Sequence, residues 1–194
     1  MKKLVLILFL IAGFSVISVS AWEPGDLTTF PSCMDENSWI MNLGVGLDSA
    51  FFTYVGNELY LAIPPVRITL DKNAGIGDRN LPFFFGGLVG YSGWGWRNYY
   101  FNHRIPVGFR AGYHFNWGVD GLDTYIVTTA GWIVNIRTGD NRHNPRSAVH
   151  FADDFIFDIK LGARWFIGNV FGFWAEAGYG NTPSYADIGL SFKF

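Results

Sequence analysis

The chain closes on Tyr185-Ala186-Asp187-Ile188-Gly189-Leu190-Ser191-Phe192-Lys193-Phe194 (YADIGLSFKF), and its alternation decides the fold. Ala186, Ile188, Leu190, Phe192 and Phe194 are apolar; Tyr185, Asp187, Gly189, Ser191 and Lys193 between them are mostly polar or small. Successive strand side chains point to opposite faces, so this is a strand with one apolar and one wet face. The rest of the chain must supply partners for it.

Reading backward, Phe171 to Gly180 sets Phe171, Phe173, Ala175, Ala177 and Tyr179 against Gly172, Trp174, Glu176, Gly178 and Gly180. Asp154 to Phe166 alternates in the same way, and Leu122 to Ile136 does so more weakly. Phe101 to Asn116 carries the strongest signal, period two throughout, with a bulge expected at Pro106 because proline cannot donate to a ladder. Leu81 to Tyr91 is interrupted by Phe83-Phe84-Phe85, Pro65 to Lys72 is clean, and Trp39 to Leu47 opens the series. Turns or loops are expected at 48–64, 73–80 (NAGIGDRN), 92–100, 116–121, 137–150, 168–169 and 181–184. The reading is all-β: an eight-stranded antiparallel up-and-down transmembrane β-barrel, with N- and C-termini on one side, the periplasm.

The first residues bound the compartment. Lys2 and Lys3, an apolar run from Leu4 to Ile11 and the small residues Val19-Ser20-Ala21 make residues 1–21 a secretory signal peptide, cut before Trp22. The run is too short for a convincing membrane anchor. Residues 22–37 read as a periplasmic lead-in and 38–194 as the barrel domain. Once the two lysines are removed the mature chain is mildly acidic, which leaves no basic footprint for nucleic acid. Cys33, the single cysteine, excludes an intramolecular disulfide; an unpaired thiol near the barrel rim or an intermolecular bridge remains.

Alternation alone does not separate a soluble barrel from a membrane barrel, whose polarity is inverted. Three details favour inversion. The apolar faces of the strands carry no charge, the opposite faces combine charges of both signs with glycine, and Trp39, Tyr91, Tyr113, Phe115, Trp165, Phe171, Tyr179 and Phe194 gather near strand ends, as an interfacial girdle would. The inward charges are Arg67, Asp71, Arg104, Arg110, Asp154, Asp158, Lys160, Arg164, Glu176, Asp187 and Lys193. An eight-stranded interior is filled by side chains, so these are expected to form a structural lumenal network, or else to line a narrow gated path.

PPVRITLDKNAG, FFFGGLVGYS, VGFRAGYHF, LDTYIVTTAGW, DIKLGARWFIGNVFGFWAEAGYG and ADIGLSFKF resemble successive segments of the small bacterial outer-membrane β-barrel family, from about Trp39 to Phe194. The aromatic-rich 92–100 and Phe84, where a small polar residue is more usual, depart from that pattern. The resemblance implies a bacterial outer-membrane location, contact with outer-membrane lipid, and a terminal strand whose Phe192 and Phe194 serve as an insertion signal read by the barrel-assembly machinery. It implies no single activity.

No constellation of catalytic, cofactor or metal type emerges. His143, Ser147, His150 and Asp153 cluster near one loop, but a triad is defined by geometry that a polar loop does not supply. There is neither a His-Glu-x-x-His metal spacing nor a phosphate loop. Trp94, Trp96, Tyr99 and Tyr100 offer either a stacking platform or part of an outer aromatic girdle. The expectation is an integral outer-membrane protein with a structural and surface-display role, not an enzyme, whose loops 48–64, 92–100 and 137–150 are candidates for an extracellular ligand. The alternatives are a narrow channel or transporter for small or hydrophobic solutes, and a barrel enzyme acting on lipid or peptide.

Overall fold

Each alternating segment becomes a strand because its two faces demand different surroundings, and the strands close on themselves. A computed structural model describes residues 28–47, 60–76, 79–96, 100–138, 149–150 and 154–194. The strands are β1 (Trp39–Leu47), β2 (Tyr60–Ile76), β3 (Arg79–Trp96), β4 (Tyr100–Phe115), β5 (Leu122–Thr138), β6 (Val149–His150), β7 (Phe155–Ile167), β8 (Phe171–Gly180) and β9 (Ala186–Lys193). Apart from β6, each pairs antiparallel with its neighbour in the chain, and β7 follows β5 directly in the ring. β1 meets β9 from Ile40↔Lys193 to Leu47↔Ala186 and β4 meets β5, so an eight-stranded ring is complete. β6 is a short addition beside β5, at Asn135↔His150 and Ile136↔Val149.

The polarity is inverted. Phe109 is 76% exposed, Leu161 64% and Ile188 65% on the outer face, while Asp158 and Arg164 are fully buried on the inner one. An exposed apolar belt of this extent is the surface of a barrel that sits in lipid. Among the described side chains of the strands, Lys72 breaks the outward face, two residues after Leu70 on β2. It lies at the end of the barrel that carries the chain terminus, its ammonium 5.6 Å from the Trp39 ring, where a long stem can carry its charge to the polar boundary.

Inside, three large rings lie against glycines of other strands: Trp174 against Gly44 across β9, and Phe84 against Gly112 and Tyr125 against Gly162 on adjacent strands. A Cβ at any of these positions would collide with the ring. Phe84, where a small polar residue is the more usual choice, fits because Gly112 makes room for it.

Several boundaries depart from expectation. β2 already runs at Tyr60, within the expected loop, and its ladder shifts register between Ile63 and Val66, at Pro64-Pro65. The expected bulge at Pro106 is absent: β4 pairs continuously with β5 through Pro106↔Ile133. The ring is accommodated because the facing residue is Gly90, where a Cβ would stand only 3.0 Å from Pro106 Cγ. The 73–80 turn is narrower, since β2 continues to Ile76 and β3 begins at Arg79. Most of 92–100 is strand as well, with β3 reaching Trp96 and β4 beginning at Tyr100. Residues 1–21, most of loop 48–64, and His143, Ser147 and Asp153 lie outside the described residues.

The two ends of the barrel differ. At the terminus end, residues 28–38 cross the opening as a floor. Lys193 Nζ donates to the Cys33 carbonyl at 2.7 Å, Asn116 Nδ2 donates to Thr29 Oγ1 at 2.9 Å, and Met34 packs with Ile40 and Phe166, flanked by Phe30 and Cys33. At the opposite end, the mouth, β2 to β5 outrun the other strands. The last β1–β2 pair is Val45↔Val66 and the last β5–β7 pair is Trp132↔Phe155, so 60–65 and 133–138 run on as a wing for roughly 20 Å along the strand direction. Between β8 and β9, Thr182, Pro183 and Ser184 fold inward and are buried.

Candidate functional site: an alternating ion-pair chain in the lumen

Inward positions of the ring bring acids and bases from different strands to the barrel axis. Lys160 Nζ lies 2.8 Å from Asp187, which lies 2.6 Å from Arg67. Arg67 reaches Glu176 at 2.8 Å, and Glu176 is 2.6 Å from Arg110. Arg110 meets Asp71 at 3.1 Å, Asp71 meets Arg164 at 2.9 Å, Arg164 meets Asp123 at 2.8 Å and Asp123 meets His114 at 2.6 Å. Asp158, 3.6 Å from Lys160, begins the series. Charge alternates at every step from Asp158 to Asp123, where His114 closes the series, and every side chain in it is buried.

The strand period explains the arrangement. Asp71 and Arg67 sit two i+2 steps apart on β2, and Asp158, Lys160 and Arg164 share one face of β7, so each strand offers a column of charges to the axis. Neutral groups complete the valences. Tyr125 Oη donates to Glu176 at 2.7 Å, and its ring lies 4.1 Å from the Arg164 guanidinium carbon. Asn42 accepts from Arg164 Nε and Ser191 Oγ and donates to Thr69 Oγ1. Buried charge is tolerable only when so paired.

His114 ends the chain against the floor. Its Nδ1 faces Asp123 and its Nε2 lies 3.0 Å from Asn73 Oδ1, while the Asn73 amide nitrogen donates to Ser38 Oγ and the Asp35 carbonyl. Both ring nitrogens therefore have a polar partner, one on β5 and one on β2. Arg67, Arg110, Lys160 and Arg164 thus stand among Asp71, Asp123, Asp158, Glu176 and Asp187, with His114 closing the series beside Asp123.

The structure brings together Arg67, Asp71, Arg110, Asp158, Lys160, Arg164, Glu176 and Asp187 of the charges expected inside. Arg104, Asp154 and Lys193 stand apart. Arg104 is half-buried higher in the mouth, and no described residue forms an ion pair with it. Asp154 is exposed just before β7 and accepts from Asn135 at 3.3 Å. Lys193 ties the floor to β9 and pairs with Asp35 at 3.5 Å. Asp123, Tyr125 and His114 join these charges although the sequence does not single them out: the alternation of β5 is weak, and Tyr125 and His114 carry no formal charge. Phase alone could have found Asp123, two residues before Tyr125 on the same face.

The two halves of the lumen differ in satisfaction. Buried Arg67 Nε, Ser92 Oγ, Thr129 Oγ1, Asp158 Oδ1 and Asp187 Oδ1 have no protein partner among the described residues, and all belong to the mouth half. A cavity of about 10 Å³, the space of a single water, is lined there by Arg67, Ser92, Pro106, Thr182 and Ser184. Among the described residues no group of His, Cys, Asp and Glu has the geometry to hold a metal.

Cys33, in the floor, is a half-buried free thiol. Burial, reinforced by the Asp123 charge, pushes it up from an ordinary 9.0 to about 12, so it is protonated and unreactive at neutral pH.

No known family model matches this sequence. No curated protein matches it either. Among solved structures it is similar to a designed protein from "De novo design of transmembrane beta-barrels" (11% identity, TM-score 0.43, covering 83% of this chain and 98% of that one). It is also similar to the N-terminal β-barrel domain of Pseudomonas aeruginosa OprF (14% identity, TM-score 0.44, covering 83% of this chain and 100% of that one).

Proposed function

We propose that this chain is a closed, non-catalytic integral protein of the bacterial outer membrane, with a structural and surface-display role. The observation that carries the reading is the alternating chain from Asp158 to Asp123, closed by His114, which fills the barrel axis with buried, mutually paired charge under an apolar exterior. The floor of residues 28–38 closes the terminus end, and the 182–184 segment covers part of the mouth. In this reading residues 1–21 are removed on export, the termini and floor face the periplasm, the wing faces outward, lipid contacts the outer belt, and the assembly machinery reads Phe192 and Phe194 during insertion. Strands cross a bilayer only as a closed barrel, which this ring is.

Planar-bilayer recording tests the closure. The full mature chain should give no steady conductance, and Glu176→Ala or Arg164→Ala should open measurable single-channel events. Steady conductance by the wild type, or silent variants that remain folded, would overturn the plug. A second reading, a narrow solute path, draws on the five unpartnered polar atoms of the mouth half, which mark where hydration of the lumen would start. It predicts small, frequent openings in the wild type itself.

A further inference from the structure

The wing turns a row of unusual residues toward the mouth. Inward phase on β3, β4 and β5 carries Trp94, Asn102 and Arg137 in one row, through Trp94↔Asn102 and Asn102↔Arg137. Arg104 and Asn135 form the row below and Tyr100 the row above. The outward phase carries a separate belt, in which Tyr91 Oη lies 2.9 Å from His103 Nδ1. Trp94 and Tyr100 thus line the mouth and are not part of the outer girdle.

The chemistry of this ledge is specific. The Arg137 guanidinium carbon lies 4.1 Å from the Tyr100 ring centroid, and the Trp94 ring stands edge-on to Tyr100, with 6.1 Å between centroids and 77° between planes. Arg104 and Arg137 are diagonal neighbours across β4 and β5, roughly 7–8 Å apart at the backbone, so one acidic group can be reached by both. Asp154, held by Asn135, is the one acid at this ledge among the described residues, where two arginines outnumber it. Aromatic faces receive the apolar C–H face of a pyranose, the Asn102 and Asn135 side chains suit its hydroxyls, and guanidinium groups suit an acid substituent.

We propose that the ledge formed by Trp94, Tyr100, Asn102, Arg104, Asn135 and Arg137 is a binding site for an anionic saccharide, a sugar bearing a carboxylate or a phosphate. Charge complementarity selects the acidic sugar, and the ring pair fixes its orientation. As a ligand site on the cell surface, the ledge rests on the surface-display reading; as a binding site in isolated protein, it does not.

Isothermal titration of the full mature chain, refolded in detergent micelles, uses three probes: a uronate disaccharide, a disaccharide phosphate and neutral maltose. The expected result is binding of an acidic probe that weakens with added salt, little binding of maltose, and about tenfold weaker binding for Arg104→Gln and for Arg137→Gln, each still heat-modifiable on a gel. Preference for uronate or phosphate assigns the source of the charge. Equal binding of maltose, no binding of either acidic probe, or unchanged affinity in the folded double variant would overturn the site. The orientation is read separately: Asn102→Cys should react with a membrane-impermeant maleimide on intact cells. Protection there, with the wild-type chain still binding in micelles, would overturn the surface placement and leave the site standing.

Discussion

Glu176 is the residue on which the lumen turns. Its carboxylate takes Arg67, two nitrogens of Arg110 and the Tyr125 hydroxyl, and no other acid among the described residues holds two guanidinium groups and a phenol. Glu176→Gln keeps the shape but leaves two buried cations short of a counter-charge. Urea unfolding in micelles should register a loss of about 3–5 kcal/mol; a change below about 1 kcal/mol would show that water replaces the carboxylate at little cost. Cys33 is the residue-scale probe of the floor. Its thiol is raised from 9.0 to about 12 in the folded state, so the folded protein holds more protons than the unfolded chain between those values. Stability from this group is complete below pH 9 and declines as pH rises toward 12. Iodoacetamide alkylation of the folded protein should keep accelerating past pH 9, whereas levelling near pH 9 would mean that the thiol is not shielded.

At the scale of elements, the floor and the wing are the features that alternation does not describe. The floor has no period because residues 28–38 are held by scattered contacts: Lys193 to Cys33, Asn116 to Thr29, Ser32 to Asp120 and the Met34 cluster. Met34→Ala removes the centre of that cluster, a loss of about 2–5 kcal/mol for a buried methionine. The ring does not depend on it, so the variant should alkylate at Cys33 at least about tenfold faster at pH 9 while its heat-modifiable migration stays unchanged. Equal rates would detach the floor from Met34. The wing was hidden by its own composition. Pro64-Pro65 and the Gly-Trp run of 92–96 carry loop signals, yet β2 pairs with β3 and β3 with β4 there, an override of local preference by cross-strand partners. Asn73 follows the same logic: a turn residue by propensity, it is buried in strand because Ser38 and His114 satisfy its side chain.

For the whole molecule, closure is the decisive event. Trp39 and Phe194 exchange backbone hydrogen bonds of 2.7 and 2.9 Å at the last pair of the β1–β9 seam, and Phe192 stacks edge-on with Phe171 at 5.7 Å. An open seam would expose strand edges in lipid, where water does not satisfy them. Deleting Phe194 should therefore lower the folded yield in outer membranes, seen as loss of the heat-modifiable band, with little effect on chain already inserted. Wild-type yield from the truncated chain would refute the importance of this terminal pair.

Period two is a local property, and it was enough to determine the strand count of the ring, the outward apolar belt and eight of the charges that meet in the lumen. YADIGLSFKF already contained that choice, with Asp187 on one face and Ile188 on the other. Which acid meets which base is not local. Arg67 reaches Asp187 across 120 positions of sequence, and Arg164 reaches Asn42 across 122, because the register of the ladders sets the height of each column around the axis. The same registers lifted β2 to β5 above the rim and turned Trp94 and Tyr100 to the mouth. Only the closed ring decided those pairings, since a strand sets which way its side chains point and its neighbours set what they meet.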